Sequence, residues 1–217
     1  AVLNIDDAIA AAEKQLADLN EKAESLATKI SAARKGQIKN LETQVNKMLV
    51  QVGMPNARLK VDMAKTGLTI TGFDAIEFLF DANKKDKFEP VRKVASGGEL
   101  SRLMLCIKSL VATSINLPTL IFDEIDTGIS GEAAKQVGII MKDLAAARQV
   151  ICITHQPQIA GKAHAHYLVY KAIQKNSITT GVRQLSTDER IVAIAQMMSG
   201  EKPTAAALEN AREMVMN

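Results

Sequence analysis

"TLIFDEIDTGISGEAAKQVGIIMKDLAAARQVICITHQPQ", residues 119–158, carries the pattern that sets the fold. Leu120, Ile121 and Phe122 form an apolar run of strand length that stops at two carboxylates, Asp123 and Glu124. Residues 131–147 place Ala134, Val137, Met141, Leu144 and Ala145 on one helical stripe, and "QVICIT" (149–154) reads as a second buried strand. Strands linked by a helix of this length pair in parallel through a right-handed crossover. The class is α/β. Asp123, Glu124 and then His155 leave the carboxyl edge of that sheet, where open α/β folds bind ligands.

Outward from this core the texture changes. "RLKVDM", "LTITG" and "IEFLFDA" (58–82) alternate or run apolar in short blocks, the pattern of antiparallel strands joined by tight turns. "HYLVYKA" and "SITTGVRQL" (166–185) supply two more strands. Two helices close the chain, the first opened by a capping box at Ser186 and Glu189 and ending near Gly200, the second beginning around Pro203. At the other end, residues 6–50 contain no proline, and Leu16, Leu19, Ala23, Leu26, Ile30 and Ala33 recur at spacings of three and four. Gly36 interrupts that series, which resumes at Ile38, Leu41, Val45 and Met48 with a shift. A coiled-coil arm entering a globular body satisfies the pattern, and so does a long amphipathic surface helix. The expected division is an arm over 1–50 and a lobe over 51–217.

A second stretch asks for chemistry. In "VASGGELSRL" (94–103), Ser96 and Glu99 have capping-box spacing ahead of a stripe at Leu100, Leu103, Met104, Ile107, Leu110 and Val111. Capping alone gives no reason for glycine at 97 and 98, because glycine costs a helix about 1 kcal/mol relative to alanine. Without β-carbons, the free N–H groups and the positive end of the helix dipole can face an anion, phosphate above all. No G-x-x-x-x-G-K-[ST] cradle occurs in the 217 residues, so another segment must hold that phosphate. Asp123 suits a water-mediated Mg²⁺ and Glu124 an attacking water, although acids after a strand also serve simply to cap the next helix. "DTGISG" sets Asp126 in a glycine-bounded turn, and His155 lies within reach of a γ-phosphate. His164 and His166 are too closely spaced for a helical metal pair and read as structural.

The totals narrow the class. A balance of 27 basic and 24 acidic side chains gives +3, too little to argue for a nucleic-acid partner, so any such contact needs a local patch. "NKKDKFEPVRK" (83–93), with Lys84, Lys85, Lys87, Arg92 and Lys93 against Asp86 and Glu89, is such a patch or else a solvated loop. Cys106 and Cys152 sit in apolar stretches without CxxC spacing, as reduced thiols do. No apolar run reaches the roughly 20 residues of a membrane span, and the acidic start is unlike a secretory leader. The expectation is a cytoplasmic protein without a membrane partner.

In order, "SGGEL", "TLIFDEID", "TGISG" and "ITHQPQ" resemble the signature, Walker B, D-loop and switch-histidine motifs of ABC-type ATPases. The Glu99 form of the signature behind a coiled coil is similar to the SMC and Rad50 branch, and within it the bacterial RecN family of double-strand-break repair and recombination proteins, over about 37–217. That resemblance implies an α/β C-terminal head lobe: a parallel-sheet core with flanking helices and extra antiparallel strands, preceded by a coiled-coil arm. It implies a nucleoid-associated, ATP- and Mg²⁺-dependent enzyme whose Walker A lies on a separate N-terminal lobe, with two heads of a homodimer sandwiching ATP and with DNA as partner. By position it assigns Ser96, Gly97, Gly98 and Glu99 to the nucleotide of the opposite head, Asp123 to Mg²⁺ and Glu124 to the general base. Asp126 crosses the dimer interface and His155 senses the γ-phosphate. Ala95 replaces the leucine usual before the signature serine, and the D-loop lacks a Leu-Asp ending; both departures match RecN. Without Walker A the chain alone is expected to be inactive. A transporter ATPase fits less well, since a coiled coil precedes the β region, and a non-enzymatic coiled-coil scaffold leaves the glycines, the carboxylates and His155 unexplained together.

Overall fold

The computed structural model describes residues 2–93, 97–112, 117–123, 125–174 and 177–216. Contacts divide the chain into two compact units, Ala1–Asn46 with Arg58–Lys93 and Lys47–Ala57 with Val94–Asn217. By contact the three-stranded sheet groups with the long helix, whereas the boundary expected at 50/51 follows the helix end.

In the first unit, α1 (Val2–Gln51, its last turns belonging to the second unit) runs through Gly36 without a break. Glycine is tolerated there because the helix is long and no atom approaches the position. β1 (Arg58–Thr69) and β2 (Gly72–Asp81) form an antiparallel hairpin in which Leu59, Val61 and Met63 face Phe80, Phe78 and Ile76, and β3 (Glu89–Pro90) adds to β2. These pairs put apolar side chains on one face, as a period of two requires. Val61, Met63, Ile76 and Phe78 line an apolar groove with Ile38 and Leu41 of α1. Polar anchors fix the helix to the hairpin: Ser31 and Arg34 donate to Asp74 at 2.7 and 3.0 Å. Glu42 accepts from the Val61 amide at 2.7 Å, and Asn46 both accepts from and donates to the backbone of Leu59. Helix side chains thus satisfy the edge of β1 as a neighbouring strand would. The seam residues Leu16, Leu19, Leu26 and Ile30 remain exposed.

The basic stretch lies in the β2–β3 loop and just after it. Arg92 pairs with Glu77 at 3.0 Å and Lys87 with Glu89 at 3.2 Å, while Arg58 bridges Asp81 and Asp86 and lies over the Phe88 ring. Much of its charge is answered locally.

In the second unit, α1 ends in a Schellman closure: the Met54 amide donates to Leu49 O, the Gly53 amide to Val50 O, and Gly53 takes φ +80°. A β-carbon on Gly53 would stand 2.9 Å from that of Ala133, so glycine is required twice over. The core is α2 (Gly97–Val111), β4 (Thr119–Phe122), α3 (Gly131–Ala145) and β5 (Gln149–Cys152), with β4 and β5 parallel in the register Phe122↔Cys152. α3 buries Ala134, Val137, Met141 and Leu144, the expected stripe apart from half-buried Ala145, and ends two residues before the expected 147. Both strands were expected to be buried throughout. Leu120 and Phe122 are, but Ile121, Ile151 and Ile153 are exposed, because the described helices cover only one face of this two-stranded sheet.

A short helix α4 (Pro157–Ala160) follows, then the antiparallel hairpin β6 (Tyr167–Gln174) and β7 (Ser177–Gln184). Tyr170 packs on Gly181 so closely that a β-carbon there would meet the ring at 2.5 Å. α5 (Thr187–Ser199) opens with the predicted capping box, Ser186 and Glu189 each accepting the other's amide, and α6 (Ala205–Met216) starts two residues beyond Pro203. Ile191, Ile194 and Ala195 of α5 bury against Ala207 and Ala211 of α6 and Ala160 of α4. No helix among the described residues is long and apolar enough to cross a membrane.

Candidate functional site

The parallel register brings Phe122 beside Cys152, so the residues after each strand leave the same sheet edge. Asp123 stands there exposed, and three residues past Cys152 so does His155, its side chain 72% exposed. Between them the chain turns back through buried Ile125 and Asp126 to Gly128, where φ is +74°. Glycine fits this left-handed turn without strain.

Asp126 organises the edge. It is 2% exposed, its Oδ2 accepts from Thr154 Oγ1 at 2.6 Å and from the His155 amide at 2.8 Å, and His155 Nδ1 lies 3.1 Å from the same oxygen. Thr154 Oγ1 in turn accepts from the Gln156 amide at 3.0 Å, and Gln156 Nε2 donates to Ile129 O at 3.0 Å. Asp126 was expected at a dimer interface; within this lobe its carboxylate is enclosed and holds the His155 loop.

The glycine pair divides in two. Gly97 is exposed, but Gly98 is buried, and a β-carbon on it would stand 2.9 Å from Thr127 O and 3.0 Å from the Thr127 β-carbon. Close approach by the 123–129 turn of its own lobe therefore explains the second glycine, and the first is left to face outward. Ser101 Oγ donates to Asp123 O at 3.2 Å, and Arg102 donates to Thr127 O, so the start of α2 and the carboxylate turn are joined. The predicted N-cap Ser96 and the predicted base Glu124 lie outside the described residues.

Mg²⁺ commonly retains several waters and takes one or two carboxylates besides phosphate oxygens. Exposed Asp123 fits such a set, and no group of three or more potential ligands occurs among the described residues. Burial pushes the Cys106 thiol up to about 12, and burial with the neighbouring Asp126 and Asp123 does the same for Cys152. His166 is held below the usual imidazole range by burial and by the neighbouring Arg190, as befits a structural group.

Reading by sequence located Gly97, Gly98, Asp123, Asp126 and His155 and missed Ser101, Arg102, Thr154 and Gln156. Each of these four lies beside a motif residue, and adjacency was the one signal available.

No family model matches the chain. It is 42% identical over 199 residues to the DNA repair protein RecN of Rickettsia typhi, covering 91% of this chain and 36% of that protein. It is 35% identical over 192 residues to the DNA repair protein RecN of Vibrio cholerae, covering 88% and 35%. The chain spans about a third of the length of these curated relatives. Among solved structures it is similar to the Smc head domain with a coiled coil and joint from Pyrococcus yayanosii, with a TM-score of 0.54 at 18% identity over 85% of this chain and 35% of that one. The fold is that of an Smc-type head lobe.

Proposed function

The chain belongs to the RecN family of DNA repair proteins, and from that premise we propose that it is the C-terminal head lobe and descending coiled-coil arm of an SMC-like ATPase acting on DNA double-strand breaks. The observation that carries the reading is the shared sheet edge, where exposed Asp123 and the Asp126-held His155 emerge beside the start of α2.

In this reading residues 1–50 are the arm and 51–217 the lobe. The exposed seam of Leu16, Leu19, Leu26 and Ile30 receives the ascending strand of the coil. An N-terminal lobe carrying Walker A covers the bare face of Ile121, Ile151 and Ile153. Two such heads enclose two ATP molecules, and the bound Mg-ATP supplies an anhydride whose terminal phosphoryl group is open to in-line attack by water. Gly97, with Ser96 and Glu99, presents the positive end of α2 to the γ-phosphate held by the opposite head. Asp123 orients the metal through water. Glu124 accepts the proton of the attacking water, and exposed His155, its loop held by Asp126, contacts the phosphoryl oxygens. DNA work of this kind places the protein in the cytoplasm with the nucleoid. The basic patch at 84–93 is left as the candidate DNA contact, reduced by its local ion pairs.

The decisive experiment combines this chain with a Walker A-bearing N-terminal lobe. The mixture should hydrolyse Mg-ATP, while the chain alone should not. Glu124→Gln should lower hydrolysis by about 10²-fold or more and accumulate ATP-bound dimers. Monomers with and without ATP, for parent and variant alike, would support a scaffold instead.

A further inference from the structure

Ser101 and Arg102 follow the glycine-bearing turn directly, and the mechanism above gives neither a task. Both side chains reach into the same turn. Ser101 Oγ donates to Asp123 O at 3.2 Å, Arg102 Nη1 donates to Thr127 O at 2.7 Å, and a longer contact of 3.5 Å runs from Nη1 to Ile125 O. Three alternate carbonyls of the 123–127 segment are thereby taken by two adjacent residues of α2. Arg102 is 5% exposed, and burying a guanidinium is unfavourable unless good acceptors and opposite charge surround it. Glu99, one turn earlier, supplies part of that charge. An apolar side chain would fill the space but leave the carbonyls of Ile125 and Thr127 without this donor. The absent β-carbon of Gly98 completes the junction, for it would stand 2.9 Å from Thr127 O and 3.3 Å from Arg102 Nη1.

We infer that Arg102 is a positioning residue that locks the first turn of α2 to the carboxylate turn, so that the nucleotide met by Gly97 sets the placement of Asp123 and Glu124. The inference rests on the proposed function. Under it, Gly97 touches the nucleotide of the opposite head, while Asp123 and Glu124 act on the nucleotide of their own. A rigid link between them makes each ATP report on the other site, and turnover becomes cooperative in ATP. Both contacts come from Nη1, whose two N–H groups are fixed in the guanidinium plane, whereas an ammonium is a flexible point charge.

The test uses the full-length protein and its Arg102→Lys variant, which keeps the charge but loses the planar guanidinium. Three quantities are compared: ATP-dependent dimerisation, maximal turnover, and the Hill coefficient for ATP. The variant should dimerise with ATP within about twofold of the parent, lose about tenfold in turnover, and show a Hill coefficient fallen to about 1. Ser101→Ala, which removes the other tie without touching a charge, should move the same readouts in the same direction by a smaller factor. Turnover within about twofold of the parent with its cooperativity kept would overturn the inference. So would a parallel loss of dimerisation and turnover, the mark of a merely structural residue. A parent that neither dimerises with nor hydrolyses ATP is a separate outcome: the proposed function then fails, and the link falls with it.

Discussion

Buried aspartates in the two units are balanced in opposite ways. In the helix–hairpin unit, the side chains of Asp74 and Asp81 are 2% and 3% exposed and are answered by the guanidinium groups of Arg34 and Arg58. These are pairs between permanent charges, the first tying α1 to β2 and the second closing the open end of the β1–β2 hairpin. In the second unit, Asp126 is equally enclosed, yet its donors are the Thr154 hydroxyl and the His155 amide, and the imidazole 3.1 Å away is itself exposed. The first arrangement ends at the architecture. The second uses a buried charge to hold an exposed group in one orientation, which is what a site requires of its supporting residues.

Removing the anchor of the second arrangement should have the largest effect. Asp126→Ala leaves the Thr154 hydroxyl and the His155 amide without their acceptor, at an expected loss of about 2–4 kcal/mol in denaturant unfolding. His155 also loses its orientation, and hydrolysis by the assembled protein should fall by about 10²-fold. Hydrolysis unchanged in a destabilised Asp126→Ala protein would mean that the carboxylate is architectural here too, and the contrast would vanish.

The two glycines sharpen the same point with an intermediate effect. Gly98→Ala drives a β-carbon against the Thr127 backbone and should cost about 1–3 kcal/mol of stability. Gly97→Ala, at the exposed position, should leave the melting temperature nearly unchanged while weakening ATP-dependent dimerisation. Similar melting losses in both variants would contradict the division between an inward and an outward glycine.

The smallest effect is reserved for the closed pairs. The hydrogen bond from Ser31, aided by Arg34 and outweighing the effect of burial, holds the Asp74 carboxyl below its usual range. Its folded value being the lower one, the stability it contributes is present above the unfolded value of about 3.9 and is lost as pH falls through the folded value. Urea unfolding followed from pH 6 to pH 3 should therefore show an acid-dependent loss in the parent that is reduced in Asp74→Asn. The two slopes coinciding would remove Asp74 from the account.

Local signals explain which features the sequence disclosed. The strand at 119–122, the α3 stripe, the capping box at Ser186 and the parallel pairing all follow from spacing within a few turns of chain. The inward turn of Asp126 does not, because a glycine-bounded aspartate has the same local sequence whichever way it faces. Thr154 and His155, 28 and 29 residues away, decide it. Arg102 was hidden for the same reason, its acceptors lying 23 and 25 residues downstream. On α1, the apolar seam was legible, but Ser31 and Arg34 meet Asp74 across 43 and 40 residues, and no period in the helix announces that contact.

The amide of Asn46 and the carboxylate of Glu42 occupy backbone groups of Leu59 and Val61 that an edge strand otherwise offers to any passing chain. At that stretch the hairpin has no free ladder with which to seed a fibre. One route to indiscriminate polymerisation is thereby closed by two side chains one helical turn apart.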